Sequence, residues 1–244
     1  MYHKEIHQYL VNLGSPKIAE HSQRFFKTGP GEYGEGDVFL GIRMPVIRVT
    51  IKQFKEANLK TAQCLLKSQY HEIRIFALLL MVTLFKKSSP NEQAYIFKVY
   101  LANTQYINNW DLVDCSAHYI VGQHLLNEGL TDNKMFKKGL GVLYKLVKSQ
   151  SLWERRIAVL ASFQFIRAHE FELSLDIYEA LLKDPEDLIH KAVGWMLREL
   201  GKRDRALLET FLNKHVSHMP RTMLRYAIEK LSKEERQYYL NYKG

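Results

Sequence analysis

Three places in this chain combine residue types and spacings that could do chemistry. Trp110 and Asp114 are four apart in Asn108-Asn-Trp-Asp-Leu-Val-Asp114, so on a helix they share one face. Leu112, Val113, Tyr119 and Ile120 make the apolar side of that segment, which leaves the indole and the carboxylate off the core. Such a carboxylate is a functional-site candidate. An indole packed at a helix junction and an acid paired with an arginine would give the same pattern. In the segment 185–200, Ile189, Ala192, Val193, Met196 and Leu200 form one stripe, with Lys191, Gly194, Trp195 and Arg198 opposite. An indole between two cations is what a nucleic-acid platform requires: a base or sugar rests on the ring while the cations hold phosphates. Arg156 shares a side with Leu160 and Phe163 in a segment that is apolar nearly all round. A charge there needs a partner. Two fit: a buried pair with Asp114, or a phosphate gripped by the guanidinium fork.

The elements that must position these groups read as helices throughout. Apolar spacing predicts them over about 2–13, 16–27, 45–57, 61–69, 71–87, 90–104, 109–127, 133–149, 152–168, 172–183, 185–200, 203–216, 219–231 and 233–242. Start signals recur: Asn108 or Asn109 as a cap, Ser15-Pro16 and Ser89-Pro90, and capping boxes at Ser151-Leu-Trp-Glu154 and Ser232-Lys-Glu-Glu235. Gly129 and Gly201 read as stops. No segment alternates as a strand would. Arg74, Asp114, Arg156 and Trp195 follow one another at 40, 42 and 39 residues. Helix pairs with a period near forty mark a HEAT-type solenoid, in which equivalent helices line one concave wall. The expected fold is all-α, an α-α superhelix of HEAT-like repeats forming one domain over 1–244.

The single glycine-rich loop, 28–37, contains a G-x-G-x-x-G match at Gly29, Gly31 and Gly34. A dinucleotide fingerprint needs a strand before it and a helix directly after. Here a helix precedes, and Glu32, Glu35 and Asp37 repel anions.

The chain has 244 residues and a formal charge of +9 at pH 7, which suggests a polyanionic partner, usually nucleic acid. Its length supports a sizeable core without disulfides or metals. Cys64 and Cys115 lie far apart and outside any Cys-x-x-Cys pair, which argues for reduced intracellular thiols and against zinc. His118 with His124, and His215 with His218, lack a metal-ligand pattern. No apolar run reaches the eighteen or so residues of a membrane span, and the N-terminus lacks a signal-peptide shape. The expected location is the cytoplasm.

Five motifs together resemble the AlkD-type DNA alkylation repair proteins, which are HEAT-like-repeat DNA glycosylases. They are Gly41-Ile-Arg-Met-Pro45, Trp110-Asp-Leu-Val-Asp114, Leu152-Trp-Glu-Arg-Arg156, Lys191-Ala-Val-Gly-Trp195-Met-Leu-Arg-Glu199 and Met219-Pro-Arg-Thr-Met-Leu-Arg-Tyr-Ala-Ile228. They stand in family order across nearly the whole chain. The resemblance implies excision of N3- and N7-alkylated purines from duplex DNA by a monomer, with no metal or organic cofactor. An alkylated purine of this kind already carries positive charge and leaves readily. Asp114 would stabilise the cationic sugar and orient water. Trp110 and Trp195 would flank the deoxyribose, and Arg156 would hold the adjacent phosphate. Arg43, Lys191, Arg198, Phe25, Tyr33 and Arg74 complete the expected DNA-binding set. Phe25 stands where the family pattern has a tyrosine and Arg43 where it has a glutamine; Tyr33, in a longer loop, could replace the lost phenol. Two other readings remain: a family member that binds damaged or branched DNA without catalysis, and a HEAT-type protein adaptor.

Overall fold

The computed structural model describes residues 2–131 and 141–242. Regular structure among them is helical, apart from one isolated bridge between Val38 and Tyr70. The chain divides into two compact units, Met1–Ser116 and Ala117–Gly244. The first holds α1 (Tyr2–Asn12), α2 (Pro16–Phe25), α3 (Met44–Gln53), α4 (Leu59–Leu66), α5 (His71–Lys87), α6 (Pro90–Leu101) and the short α7 (Trp110–Asp114). In the second are a π-helical turn (His118–Gly122), α8 (Gln123–Thr131), α9 (residues 141–147), α10 (Leu152–Arg167), α11 (Glu172–Ala180), α12 (Asp187–Gly201), α13 (Arg205–His215), α14 (Arg221–Ala227) and α15 (Lys233–Asn241). The all-helical expectation holds, with ends within a few residues of most expected ones. The first eight residues of the helix expected over 133–149, 133–140, lie outside the described residues.

Each unit is built round a helix buried on nearly every side. In α5, Ile73, Ile75, Phe76, Leu78, Met81 and Phe85 are all buried, and α3, α4, α6 and α7 pack on it. In α10, Ile157, Val159, Leu160, Phe165 and Ile166 are buried, and α11, α12 and the π-helical turn pack there. A helix with no polar face belongs inside a protein.

Local start signals worked unevenly. Ser232 and Glu235 form the expected capping box, and Ser89 forms another with Glu92. The box expected at Ser151 does not form: its hydroxyl makes no cap bond, and the Glu154 carboxylate accepts from Ser149 instead.

Two arginines, Arg74 and Arg155, make equivalent contacts in the two units. Arg74 donates to the carbonyls of Ser68 (3.1 Å) and Gln69 (3.3 Å) and pairs with Asp37. Arg155 does the same in the second unit, donating to Ser149 (2.9 Å) and Gln150 (3.1 Å) and pairing with Asp184 at 2.6 Å. Each arginine thus ties the turn before its own helix, so Arg155, not Arg156, is the repeat equivalent of Arg74.

The helix expected over 109–127 is interrupted. It ends at Asp114, and Cys115 and Ser116 form a turn. Ser116 is fully buried; its Oγ donates back to the Leu112 carbonyl at 2.6 Å and meets the Tyr100 hydroxyl at 2.9 Å. Side chains that bond to a preceding carbonyl compete with the helix ladder.

Gly194 had been grouped with the exposed face of its helix, but it is buried where α12 meets α14. A Cβ there would stand 2.4 Å from the Met223 carbonyl oxygen and 2.6 Å from the Tyr226 Cβ. Gly194→Ala is therefore expected to lower stability by about 1–3 kcal/mol through overpacking, seen as a lower urea midpoint. Gly201→Ala, which meets only the Leu208 side chain, should cost less.

Candidate functional site

The first turn of α5 carries polar side chains into the interior of the first unit. His71, Glu72 and Arg74 are all buried, and each holds a different piece of chain. Glu72 accepts from the backbone N–H groups of Leu40 (2.8 Å), Gly41 (2.7 Å) and Ile42 (3.1 Å). That fixes the segment leading to Arg43 and α3. Arg74 pairs with Asp37. His71 lies between two carboxylates, with Nδ1 2.8 Å from Asp37 and Nε2 2.8 Å from Asp111. Asp37 also accepts from the Asn109 amide at 3.3 Å.

This cluster sets the entry to α7. Asn109 is fully buried and is the N-cap, accepting from the Trp110 N–H at 2.8 Å. Asp111 accepts from the Leu112 N–H with its second oxygen at 2.9 Å. Two side chains at the start of α7 therefore satisfy its free donors while being held by the α5 cluster, and Trp110 and Asp114 ride on that helix.

Charge reinforces the geometry. Burial alone would lower the pKa of His71, but Asp111 and Asp37 outweigh it and raise it to about 9, so the ring is an imidazolium at neutral pH. Burial likewise opposes ionisation of Asp37, yet His71 and Arg74 hold its carboxyl below the usual range. Burial, together with Asp111 and Asp114 nearby, pushes the Cys115 thiol well up, which makes it a poor nucleophile.

Aromatic rings continue from the cluster to the surface. His71 stacks on Phe39 (4.4 Å between centroids), Phe39 on Phe26 (4.9 Å), and Phe26 on Trp110 (5.2 Å, 15° between planes). Phe25, 60% exposed, meets Trp110 edge-on at 6.1 Å. One face of the Trp110 indole is thus covered, and the packed-indole reading is correct for that face. Asp114 is partly exposed, at the last position of α7. Trp110, Asp114 and Phe25 therefore belong to one neighbourhood of the first unit. Arg43 is exposed at the start of α3, and Tyr33 is partly buried in the glycine-rich loop.

Arg74 is a correction: expected to meet DNA, it is buried and bound to Asp37 and two carbonyls. The acids of the glycine-rich loop have structural partners. Asp37 turns inward, while Glu32 and Glu35 accept from the loop's own Gly29 and Gly31 N–H groups at 2.9 Å each. These acids organise the loop.

In the second unit, Trp195 is partly exposed on α12. Its cationic neighbours are engaged by carboxylates: Lys191 with Asp187 at 2.8 Å, and Arg198 with Glu229. Burial would raise the pKa of Glu199, but Lys202, the Trp195 indole N–H and Arg198 outweigh it and lower it. Arg156 is buried and donates to the Leu188 carbonyl at 2.6 Å. Among the described residues, no cluster of three or more His, Cys, Asp or Glu side chains could hold a metal ion.

Sequence reasoning missed Asp37, His71, Glu72 and Asp111. One signal was available: His71-Glu-Ile-Arg74 places three polar residues at the head of an otherwise apolar helix.

Residues 6–231 match the sequence model of a family described as DNA alkylation repair enzyme. The chain belongs to that family and so is an enzyme of DNA repair. No curated protein matches it. Among solved structures, a predicted DNA alkylation repair enzyme from Enterococcus faecalis is similar, with 18% identity and a TM-score of 0.66. The likeness spans 90% of this chain and 97% of that one, and at that identity it is a likeness of fold.

The raised pKa of His71 predicts a pH dependence of stability. Its contribution is fully present below its ordinary value of 6.5 and is lost as pH rises through about 9, a loss on the order of 3 kcal/mol. That of Asp37 is present at neutral pH and lost in acid. Urea midpoints should be highest near neutral pH and fall towards pH 9–10, and His71→Gln should flatten the alkaline side.

Proposed function

We propose that this family member is a monofunctional DNA glycosylase of the AlkD type. It would hydrolyse the N-glycosidic bond of N3- and N7-alkylated purines in duplex DNA, acting as a monomer. The observation that carries this reading is the placement of Asp114. It is a partly exposed carboxylate on the same short helix as Trp110, whose indole meets the exposed Phe25. An acid sealed in the core could not meet a sugar.

The chemistry follows from the substrate. An alkylated purine carries positive charge before it leaves, so the enzyme has no leaving group to protonate. Positive charge develops on the deoxyribose as the bond to the base breaks. A fixed carboxylate lowers the energy of that cation and orients the water that adds to C1′. Asp114 takes this role. The partly exposed Trp110 indole attracts the cationic sugar and base, and Phe25 extends the apolar surface. Trp195, partly exposed on α12, offers DNA an indole surface; a phosphate contact by Arg156 rests on the resemblance alone, since its side chain is buried against the Leu188 carbonyl. Arg43 contacts the backbone from the start of α3. Lys191 and Arg198 reach phosphate by exchanging Asp187 and Glu229 for it. Ion pairs open to solvent are weak, so that exchange costs little.

Asp114→Asn should reduce release of 7-methylguanine from methylated duplex by about a hundredfold or more, with duplex affinity kept within a few fold. Equal release by the variant would remove Asp114 from the mechanism. Affinity for duplex should also fall steeply with salt, as phosphate contacts require; a flat response would favour the adaptor reading.

A further inference from the structure

The glycosylase reading needs Asp114 and Trp110 at fixed positions, yet α7 is only five residues long. A helix this short has little stability of its own, so its placement must come from outside. Three side chains at its start supply it. Asn109 is tied to Asp37, Asp111 is tied to His71, and Trp110 is stacked on Phe26. Of these contacts, only the one through His71 has charge on both partners. It also joins all the pieces: the loop through Asp37, α5 through His71 itself, and α7 through Asp111.

Resting on the glycosylase reading, we propose that His71, clamped between Asp37 and Asp111, is a positioning residue for the reaction: it sets where Trp110 and Asp114 stand. His71 touches no substrate. It acts by holding the first turn of α7 against the head of α5. With its proton, the ring donates to both carboxylates. Without it, one nitrogen becomes an acceptor facing a carboxylate oxygen 2.8 Å away, and that side of the clamp becomes repulsive. Asp37 is sealed in and also held by Arg74 and Asn109, whereas Asp111 reaches solvent, so Asp111 is the side that opens, and α7 moves with it.

The groups facing the imidazole are few. Asp37 approaches from the loop and Asp111 from α7, and the rings of Phe26 and Phe39 pack against it. Arg74, on the same helix, reaches it through Asp37, and Glu72 is spent on the backbone of 40–42. Arg48 of α3 lies within electrostatic reach of Cys115, next along from Asp114. The alkaline titration of the cluster is therefore that of His71.

The test follows two signals across pH 6 to 10 in the full chain. One is the fluorine resonance of 5-fluorotryptophan at position 110, assigned with Trp110→Phe. The other is the single-turnover rate of 7-methylguanine release from methylated duplex. The nitrogen resonances of the His71 ring give its own midpoint. Both signals should change with that midpoint, and in Asp111→Asn all three should move to lower pH together. His71→Gln should lose roughly tenfold to a hundredfold in rate, as a displaced catalytic group does, with duplex affinity kept and the alkaline fall gone. Should His71→Gln not fold, Asp111→Asn decides alone. A Trp110 signal that ignores the His71 titration, or midpoints unmoved in folded Asp111→Asn, would overturn the proposal. If wild-type protein releases no base, the glycosylase reading fails. The Trp110 signal then still shows whether His71 positions α7.

Discussion

Burying an ionised group costs several kcal/mol unless partners replace the water it loses. The head of α5 buries three side chains of this kind, and the first unit is arranged to satisfy them. Asp37 must turn inward for His71 and Arg74, which pulls the glycine-rich loop down. The backbone of 40–42 must present its N–H groups to Glu72, which places Arg43 and the start of α3. Asp111 must reach His71, which places α7. Each constraint brings a surface residue of the site with it. The unusual composition of this turn, polar at the head of a largely apolar helix, is therefore how a buried helix controls groups that stay in contact with solvent.

The second unit uses a simpler form of the same device. Arg155 ties the turn before α10 to Asp184, as Arg74 ties the turn before α5 to Asp37. Repeated helix pairs need their turns fixed as well as their faces packed, and a guanidinium with several donors can bind two carbonyls and a carboxylate at once. Among the described residues, the second unit has Leu152 three places before Arg155, where the first has His71 before Arg74. The additional cation stands where the short α7, the helix of the proposed catalytic acid, must be held.

Much of this was legible in the sequence because much of it is local. Helix starts at Ser89, Asn109 and Ser232 depend on residues within three positions, and those were read correctly. Asp114 and Trp110 were found because residues four apart on a helix share a face whatever lies around them. What escaped depended on distant partners. Asp37 and His71 are 34 residues apart, and His71 and Asp111 are 40 apart; read separately, Asp37 was one more acid in a polar loop. Ser116 ends α7 with the help of Tyr100, sixteen residues earlier. Gly194 fell on the polar side of its helix by periodicity, yet only a second helix, α14, explains why it is glycine. The arginine period was visible, but choosing between Arg155 and Arg156 required knowing which carbonyls each could reach.

Membership of the DNA alkylation repair family leaves two chemical routes open: removal of the damaged base, or removal of the alkyl group from a base that stays in place. They are separated by what leaves the DNA. Duplex treated with a methylating agent should be incubated with the wild-type protein, the released small molecules identified by mass spectrometry, and abasic sites counted in the strand. The account predicts free 3-methyladenine and 7-methylguanine, methyl groups intact, in numbers equal to the new abasic sites. Methyl groups lost while the bases remain in the strand, or no release of any base, would contradict it.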